Sequence, residues 1–117
     1  MKTKLKSNRT FGVEVEFTTG IGRCELATQL QDATGQLVLA ENYNHATRPH
    51  WKMVHDGSCG HELVSPILQG QNDLEKAKAM IKALSRIDGV KVNKRCGLHV
   101  HVGVQDMPVR NLTNIVK

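Results

Sequence analysis

Two short segments place groups capable of chemistry at every second position. Glu14 and Glu16 are separated by one residue near the start of the chain, and His99 and His101 are separated in the same way near its end. In a β-strand, residues two positions apart lie on one face at roughly 7 Å, so each segment would present its two groups together. If the strands are neighbours, carboxylates and imidazoles converge, and these donors suit Mg²⁺ or Mn²⁺. The alternative without function is the ordinary solvated face of an antiparallel sheet.

Alternating apolar residues predict the strands that carry these groups. Apolar side chains occupy every second position over 11–17, within a strand predicted for 11–19, and again over 98–104. A third short strand, 62–65, adds the carboxylate of Glu62. It must end at Pro66, because proline has no N–H to donate to a strand ladder.

Other segments predict the helices and the rest of the sheet. The spacing of apolar residues predicts one helix over 23–33, which Gly35 ends, and a second helix over 73–87. Segments 36–43 and 50–55 are strand-like. The polar loop between them predicts that they form a hairpin.

Three local signals concern the ends of elements. Asn72 followed by Glu75 resembles a capping box at the start of the second helix. Val90 and Val92 begin a further predicted strand. Asp106 is predicted to cap a last helix that continues to the end of the chain. The apolar residues of that helix would be Val109, Leu112, Ile115 and Val116.

This order of elements predicts an α+β fold, in which helices pack on one face of a mostly antiparallel sheet. The helix over 73–87 would cover the apolar face. The strand residues of that face would be Phe11, Val13, Val15, Phe17, Leu98, Val100, Val102 and Val104. The opposite face would hold Glu14, Glu16, Glu62, His99 and His101.

The composition is that of one ordinary soluble domain. The chain has 117 residues, of which 39% are hydrophobic and 23% charged, and no apolar run approaches the length of a membrane span. We expect residues 1–9 to form a basic flexible arm and residues 10–117 to form a single domain. Three cysteines at irregular spacing do not suit a disulfide framework, which favours a cytoplasmic protein. Cys24 would be a small core residue.

Charge and the Cys/His clusters leave two other functions open. The net charge of +5, the basic arm and the cluster of Lys91, Lys94 and Arg95 favour nucleic-acid binding. The exposed carboxylates and the scarcity of aromatic residues oppose it. A zinc site could draw on two clusters, although neither contains a Cys-x-x-Cys pair. Those clusters are His55, Cys59 and His61, and Cys96, His99 and His101.

Four motifs taken together resemble one known family. They are GVEVEF at 12–17, Trp51 with the Asp-x-Ser of 56–58, ELVSP at 62–66, and CGLHVHVG at 96–103. Their order and spacing resemble those of the amidoligase family, which is akin to glutamine synthetase and glutamate–cysteine ligase. The resemblance covers residues 10–117. It implies carboxylate–amine ligation, in which ATP phosphorylates a carboxylate and an amine attacks the acyl phosphate.

The resemblance also implies a metal site. Glu16 and Glu62 resemble ligands of one divalent metal. Glu14 and His99 resemble ligands of the metal that touches the phosphates of ATP. The implied cofactors are therefore ATP and either Mg²⁺ or Mn²⁺.

Further roles are implied for residues beside these ligands. His101 resembles a residue on the nucleotide side, and His101 and Ser65 are the implied catalytic residues. Glu14, His99 and His101 would together contact the nucleotide. Asp56 and Ser58 would shape the turn that precedes the Glu62 strand.

The family's domain normally continues beyond the last motif, with further strands and basic substrate-binding residues. The chain thus resembles the N-terminal half of a glutamine synthetase-like catalytic domain, incomplete on its C-terminal side. It could be a fragment, a half completed by another chain, or a non-catalytic phage-type inhibitor that binds a protein. An unpaired sheet edge and the apolar stripe of the last helix predict self-association, most simply a two-fold dimer, or a dedicated protein partner.

Overall fold

The computed structural model describes residues 9–56, 60–91, 97–104 and 107–111; for 56, 103, 104 and 107–111 it describes the backbone alone. Within these ranges the chain forms strands and two helices, which confirms the α+β prediction. In chain order they are β1 (Thr10–Phe17), α1 (Arg23–Thr34), β2 (Val38–Ala40), β3 (Trp51–Asp56), β4 (Gly60–Val64), β5 (Leu68–Gln69), α2 (Gly70–Ser85), β6 (Leu98–Val104) and β7 (Met107–Asn111). The predicted basic arm, apart from Arg9, lies outside the described residues.

The strands form one sheet with the order β2-β3-β4-β1-β6-β7, and β5 also pairs with β1. The strand β1 lies between β4 and β6 and runs antiparallel to both. In the part of the chain that the structure describes, β2 and β3 are the one parallel pair. The three strands that carry the predicted site are therefore neighbours, as the convergence of their side chains requires.

The register of β1 confirms which side chains share a face. Val13 pairs with Val100 and Val15 with Leu98, whereas Glu14 pairs with His99. We call the side that bears the apolar residues of β1 the covered face and the side that bears its glutamates the polar face. Both helices pack on the covered face. The buried helix residues in this core are Leu26, Ala27 and Leu30 of α1 and Ala77, Met80 and Leu84 of α2.

The second helix begins earlier than the sequence indicated. Its N-cap is Gln69, whose backbone N–H donates to Asp73 Oδ2 at 2.8 Å, so Asn72 lies inside the helix and the predicted capping box is wrong. The strand β5 brings the chain directly into the helix, which leaves no separate turn before Asn72. The end of α1 is as predicted, because Gly35 adopts a left-handed conformation with φ of 72°.

The predicted hairpin between β2 and β3 is wrong, since the two strands run parallel, with Val38 opposite Trp51. The segment 41–50 does not reverse the chain in a tight turn. It returns to the start of β3 and is held there by Lys52, whose ammonium group binds the Asn44 side chain and two backbone carbonyls of this segment. A connection of this length permits a parallel pairing that a two-residue turn forbids.

The predicted last helix is also contradicted where the structure describes it. Residues Met107–Asn111 form β7, antiparallel to β6, with Val104 opposite Met107. The open edge of β6 offers unpaired N–H and C=O groups, and pairing with them outweighs the helical spacing of a few apolar residues. Residues 112–117 and Asp106 lie outside the described residues, as does Val92 of the predicted strand near Val90.

Two smaller observations complete the fold. Cys24 is exposed at the start of α1, so its prediction as a core residue is wrong; Leu26 and Ala27 occupy the inward face of that turn instead. Neither described helix is long and apolar enough to cross a membrane.

Candidate functional site

The polar face brings together the carboxylates and imidazoles that the sequence singled out. Glu16 of β1 lies directly opposite Glu62 of β4, and Glu14 lies directly opposite His99 of β6. Directly opposed residues in an antiparallel pair have their Cβ atoms about 5 Å apart. His101 follows on the same side of β6, so all five side chains share one surface.

Two diagonal contacts join the imidazoles of β6 to the carboxylates of β1. His99 Nε2 lies 3.3 Å from Glu16 Oε1, and His101 Nε2 lies 3.5 Å from Glu14 Oε1. Among the described contacts, neither imidazole forms an ion pair with the residue directly opposite it on β1. Each contacts the glutamate two positions further along β1, towards the Gly97 end of β6. The Glu16 amide donates to the Gly97 carbonyl at 2.9 Å, which extends the pairing of β1 with the β6 side of the sheet one residue beyond Leu98. The result is two Glu–His pairs side by side.

The carboxylates differ in burial. The side chain of Glu16 is 12% exposed, whereas that of Glu14 is 32% exposed. Glu62 has a second neighbour on its other side. Val54 of β3 lies directly opposite Glu62 and is fully buried. Two carboxylates that face each other in such a partly desolvated place repel unless a proton or a cation lies between them. Carboxylate oxygens from two neighbouring strands thus lie side by side at this end of the polar face.

His101 supplies a direct test of whether a metal and its nucleotide suit the site. Its Nε2 atom is buried without a hydrogen-bond partner in the structure, since the nearby Glu14 oxygen is at the limit of bonding distance. A buried nitrogen lone pair or N–H without a partner is costly, which is typical of an atom that binds an absent group. Such an atom suits contact with a bound nucleotide or substrate, and the carboxylates and the His99 imidazole beside it are donors that fit Mg²⁺ or Mn²⁺. Among the described residues, however, no three such side chains are already close enough to enclose a metal ion.

Ser65 has a structural role in the described contacts. It is 6% exposed, its Oγ accepts the backbone N–H of Val13 at 2.9 Å, and its hydroxyl donates to the Pro66 carbonyl at 2.7 Å. The hydroxyl thus continues the β1–β4 ladder one residue past the end of β4. Its implied catalytic role stays a prediction.

The sequence analysis missed Lys52 and the segment 41–50, which lie beside the site. Lys52 lies on the polar face, because it pairs with Val64, which pairs in turn with Glu14. It is 3% exposed, and its Nζ donates to Asn44 O and Oδ1 at 2.9 Å each and also to Ala46 O. The sequence contained one indication of this contact, namely a lysine within the otherwise apolar stretch Trp51–Val54. The segment 41–50 consequently covers the polar face at β3.

Glu41 anchors this segment. Its carboxylate contacts His50 Nε2 at 3.0 Å, Arg48 Nε at 2.9 Å and Asn44 Nδ2 at 3.2 Å. The hydrogen bond to His50 lowers the pKa of Glu41 most, Arg48 and Asn44 lower it further, and burial opposes them, which leaves that pKa at about 2. Glu41 is therefore ionised at every pH at which the fold is expected to work.

The histidines that the structure describes in the two clusters proposed for zinc lie on different faces of the sheet. His61 pairs with Phe17 on the covered face, whereas His99 pairs with Glu14 on the polar face. His61 and His99 therefore do not face one ion, and the zinc prediction for either cluster stays a prediction. His55 and His61 face each other with ring centroids 5.4 Å apart, and burial lowers the pKa of His61 most, followed by the charges of His55 and Arg23. Cys59, Cys96 and the basic pair Lys94 and Arg95 lie outside the described residues.

The fold and the polar face together define a carboxylate-rich α+β domain whose functional groups come from three adjacent strands. Comparison with known families agrees with the four motifs: the family described as "Putative amidoligase enzyme" matches residues 7–117. The chain belongs to this amidoligase family. A search of curated proteins and a search of solved structures each gave no match.

Proposed function

We propose that the polar face is the site of an ATP- and metal-dependent ligation of a carboxylate to an amine. The observation that supports this most is the pair of Glu–His contacts beside the Glu16–Glu62 couple, on the three strands that bear the family's motifs. Structural polarity alone does not require a buried imidazole nitrogen without a partner, as His101 has. Family membership makes a ligase-like activity the natural use of these groups.

In this proposal Glu16 and Glu62 would hold one divalent ion, and Glu14 and His99 would hold the ion that acts on the nucleotide phosphates. Bound Mg²⁺ or Mn²⁺ would supply neutralisation of the charge on the transferred phosphoryl group. The substrate carboxylate attacks the γ-phosphorus of ATP and ADP leaves; the amine nitrogen then attacks the acyl carbon and phosphate leaves. His101 accepts the proton that the amine releases, and the adjacent Glu14 carboxylate stabilises the imidazolium.

Metal titration tests the proposal at its first step. Calorimetry with Mn²⁺ on the wild type should show saturable binding, and Glu16→Gln should weaken it by about tenfold or more, since the variant removes one anionic ligand. Glu75→Gln is the matched control, because Glu75 is 55% exposed on α2 and contacts only Gln71 and Lys78 in the described structure. ADP release from ATP with mixed amines and carboxylic acids then measures turnover. Absence of Mn²⁺ binding to the wild type would refute the metal assignment.

A protein-binding function is the second candidate, and the edge strand β2 favours it. Leu37 and Leu39 flank the buried Val38 and are 50% and 43% exposed. An edge strand with exposed apolar side chains can pair with a strand of another chain. Light scattering over a dilution series should reveal an oligomer that Leu39→Lys dissociates. A monomer at all concentrations, with no partner recovered, would contradict this candidate.

A further inference from the structure

A cavity lies away from the Glu–His contacts of the polar face, at the edge of the sheet where β2 ends. It has a volume of about 540 Å³. Residues of the first turn of α1, Arg23 and Cys24, form one side, and residues of the segment 41–50, including Tyr43 and Arg48, form the other. The strand β2 is three strand positions from β1, which corresponds to about 14 Å. The cavity is thus separate from the proposed metal site.

Glu41 orients two guanidinium groups at this cavity. Its carboxylate accepts Arg48 Nε, and its backbone carbonyl accepts Arg23 Nη1. A guanidinium has five N–H donors in a fixed plane, so a single contact leaves most of them available. Arg48 makes no other hydrogen bond or ion pair among the described residues and is 43% exposed. Both side chains are therefore held in place while donors remain for a ligand.

The charge of the cavity is positive. Two guanidinium groups stand against one carboxylate, and that carboxylate is already satisfied by His50 and Asn44 as well as by Arg48. Planar, paired guanidinium donors match the oxygens of carboxylates and phosphates.

We infer that this cavity is a binding site for an oxyanion, a carboxylate or a phosphate group, held by Arg23 and Arg48 beside the first turn of α1. The ligand group accepts hydrogen bonds from the free guanidinium N–H groups. Tyr43 also lines the cavity, and its ring packs edge-on against His45 at 5.1 Å between ring centroids. Such a site would select an anionic ligand independently of any metal bound by Glu16 and Glu62.

Nuclear magnetic resonance measures this binding directly. Titration of the full chain with inorganic phosphate and, separately, with glutarate, at ionic strength held constant with NaCl, should shift the Arg48 Nε–H and Cys24 amide signals saturably. Arg48→Gln should weaken the affinity about tenfold or more, and Arg86→Gln, on the exposed end of α2, should leave it within about twofold. Tighter binding of phosphate would identify a phosphate-bearing ligand, and tighter binding of glutarate a carboxylate. Shifts that are linear for both anions, or equal in Arg48→Gln and the wild type, would overturn the inference.

A chemical measurement covers the case in which Arg48→Gln disturbs the segment 41–50. Cys24 is exposed and lines the cavity, so its alkylation rate reports the local potential. The ratio of its rate with anionic iodoacetate to its rate with neutral iodoacetamide, resolved for this cysteine by peptide mass spectrometry, should fall several-fold in Arg23→Gln. Phosphate should slow the iodoacetate reaction in the wild type. A ratio unchanged by Arg23→Gln and insensitive to phosphate would overturn the inference, and neither result depends on metal binding at Glu16.

Discussion

Replacing Ser65 by alanine separates a structural role of this residue from a catalytic one. The serine hydroxyl is the acceptor for the Val13 N–H at 2.9 Å, and both residues are buried, at 6% and 4% exposure. The Ser65→Ala variant removes the acceptor and keeps the backbone bond from the Ser65 N–H to the Val13 carbonyl at 2.9 Å. The Val13 N–H is left buried without a partner in the central strand of the sheet.

The expected cost follows from that single orphaned donor. A buried N–H that loses its acceptor destabilises a protein by about 1 to 3 kcal/mol. The Pro66 carbonyl also loses a donor, but Pro66 is only partly buried and water can replace the hydroxyl. We therefore expect the free energy of unfolding to fall by about 2 kcal/mol, which lowers the urea midpoint by about 1 M for a domain of this size.

Urea unfolding monitored by the fluorescence of Trp51 measures the loss, since this side chain is 2% exposed in the core. The matched control is Ser85→Ala, because Ser85 is exposed near the end of α2 and donates only to the Lys82 carbonyl. That variant should change stability by less than about 0.5 kcal/mol. An unchanged urea midpoint for Ser65→Ala would refute this reasoning, and if ADP release were also lost, the hydroxyl would act in the chemistry instead.

Three further perturbations have expected outcomes that the structure determines. The pKa of Glu41 is about 2 in the fold and 4.5 without its partners, so the stability that its ionised form provides is fully present above pH 4.5 and is lost as the pH falls from there through 2. The difference in the free energy of unfolding between wild type and Glu41→Gln should be about 1 to 2 kcal/mol at pH 7, after allowance for the exposure of Arg48. Urea unfolding from pH 7 down to pH 2.5 should show this difference fall by about half or more, because the acid end approaches the folded pKa. His61→Phe should raise the thermal midpoint, because it replaces a buried imidazole whose Nδ1 has no partner, and a lower midpoint would show that this nitrogen is bonded in solution. Lys52→Met should cost about 2 to 3 kcal/mol and increase amide exchange in segment 41–50, since three oxygens lose their charged donor; unchanged exchange would contradict the anchoring role.

The sequence alone was sufficient to predict the orientation of side chains where a local pattern and the tertiary environment agree. The alternation in β1 and β6 predicted which side chains face the helices, and the register with Val13 opposite Val100 confirmed it. The same pattern predicted that Glu14 and His99 would share a face. Side chains along a strand alternate between its two faces. Once one face is known to be buried, every remaining residue of the strand is therefore assigned to the other face.

The tertiary structure decided what local patterns leave open. The parallel pairing of β2 with β3 depends on Lys52 and Glu41, which contact residues several positions away in the segment 41–50. The pairing of Met107–Asn111 with β6 depends on an open edge that no local sequence feature reveals.

The candidate sites divide in the same way. The residue types on the polar face were visible in the sequence, but the diagonal contacts between His99 and Glu16 and between His101 and Glu14 required the neighbouring strands. The cavity of Arg23 and Arg48 gave no sequence signal at all, since its two arginines are far apart in the chain and only the carboxylate and carbonyl of Glu41 bring them together. Periodicity fixes the face on which a side chain lies, whereas contacts between distant segments decide what it touches, because their energy depends on packing that no short stretch of sequence contains.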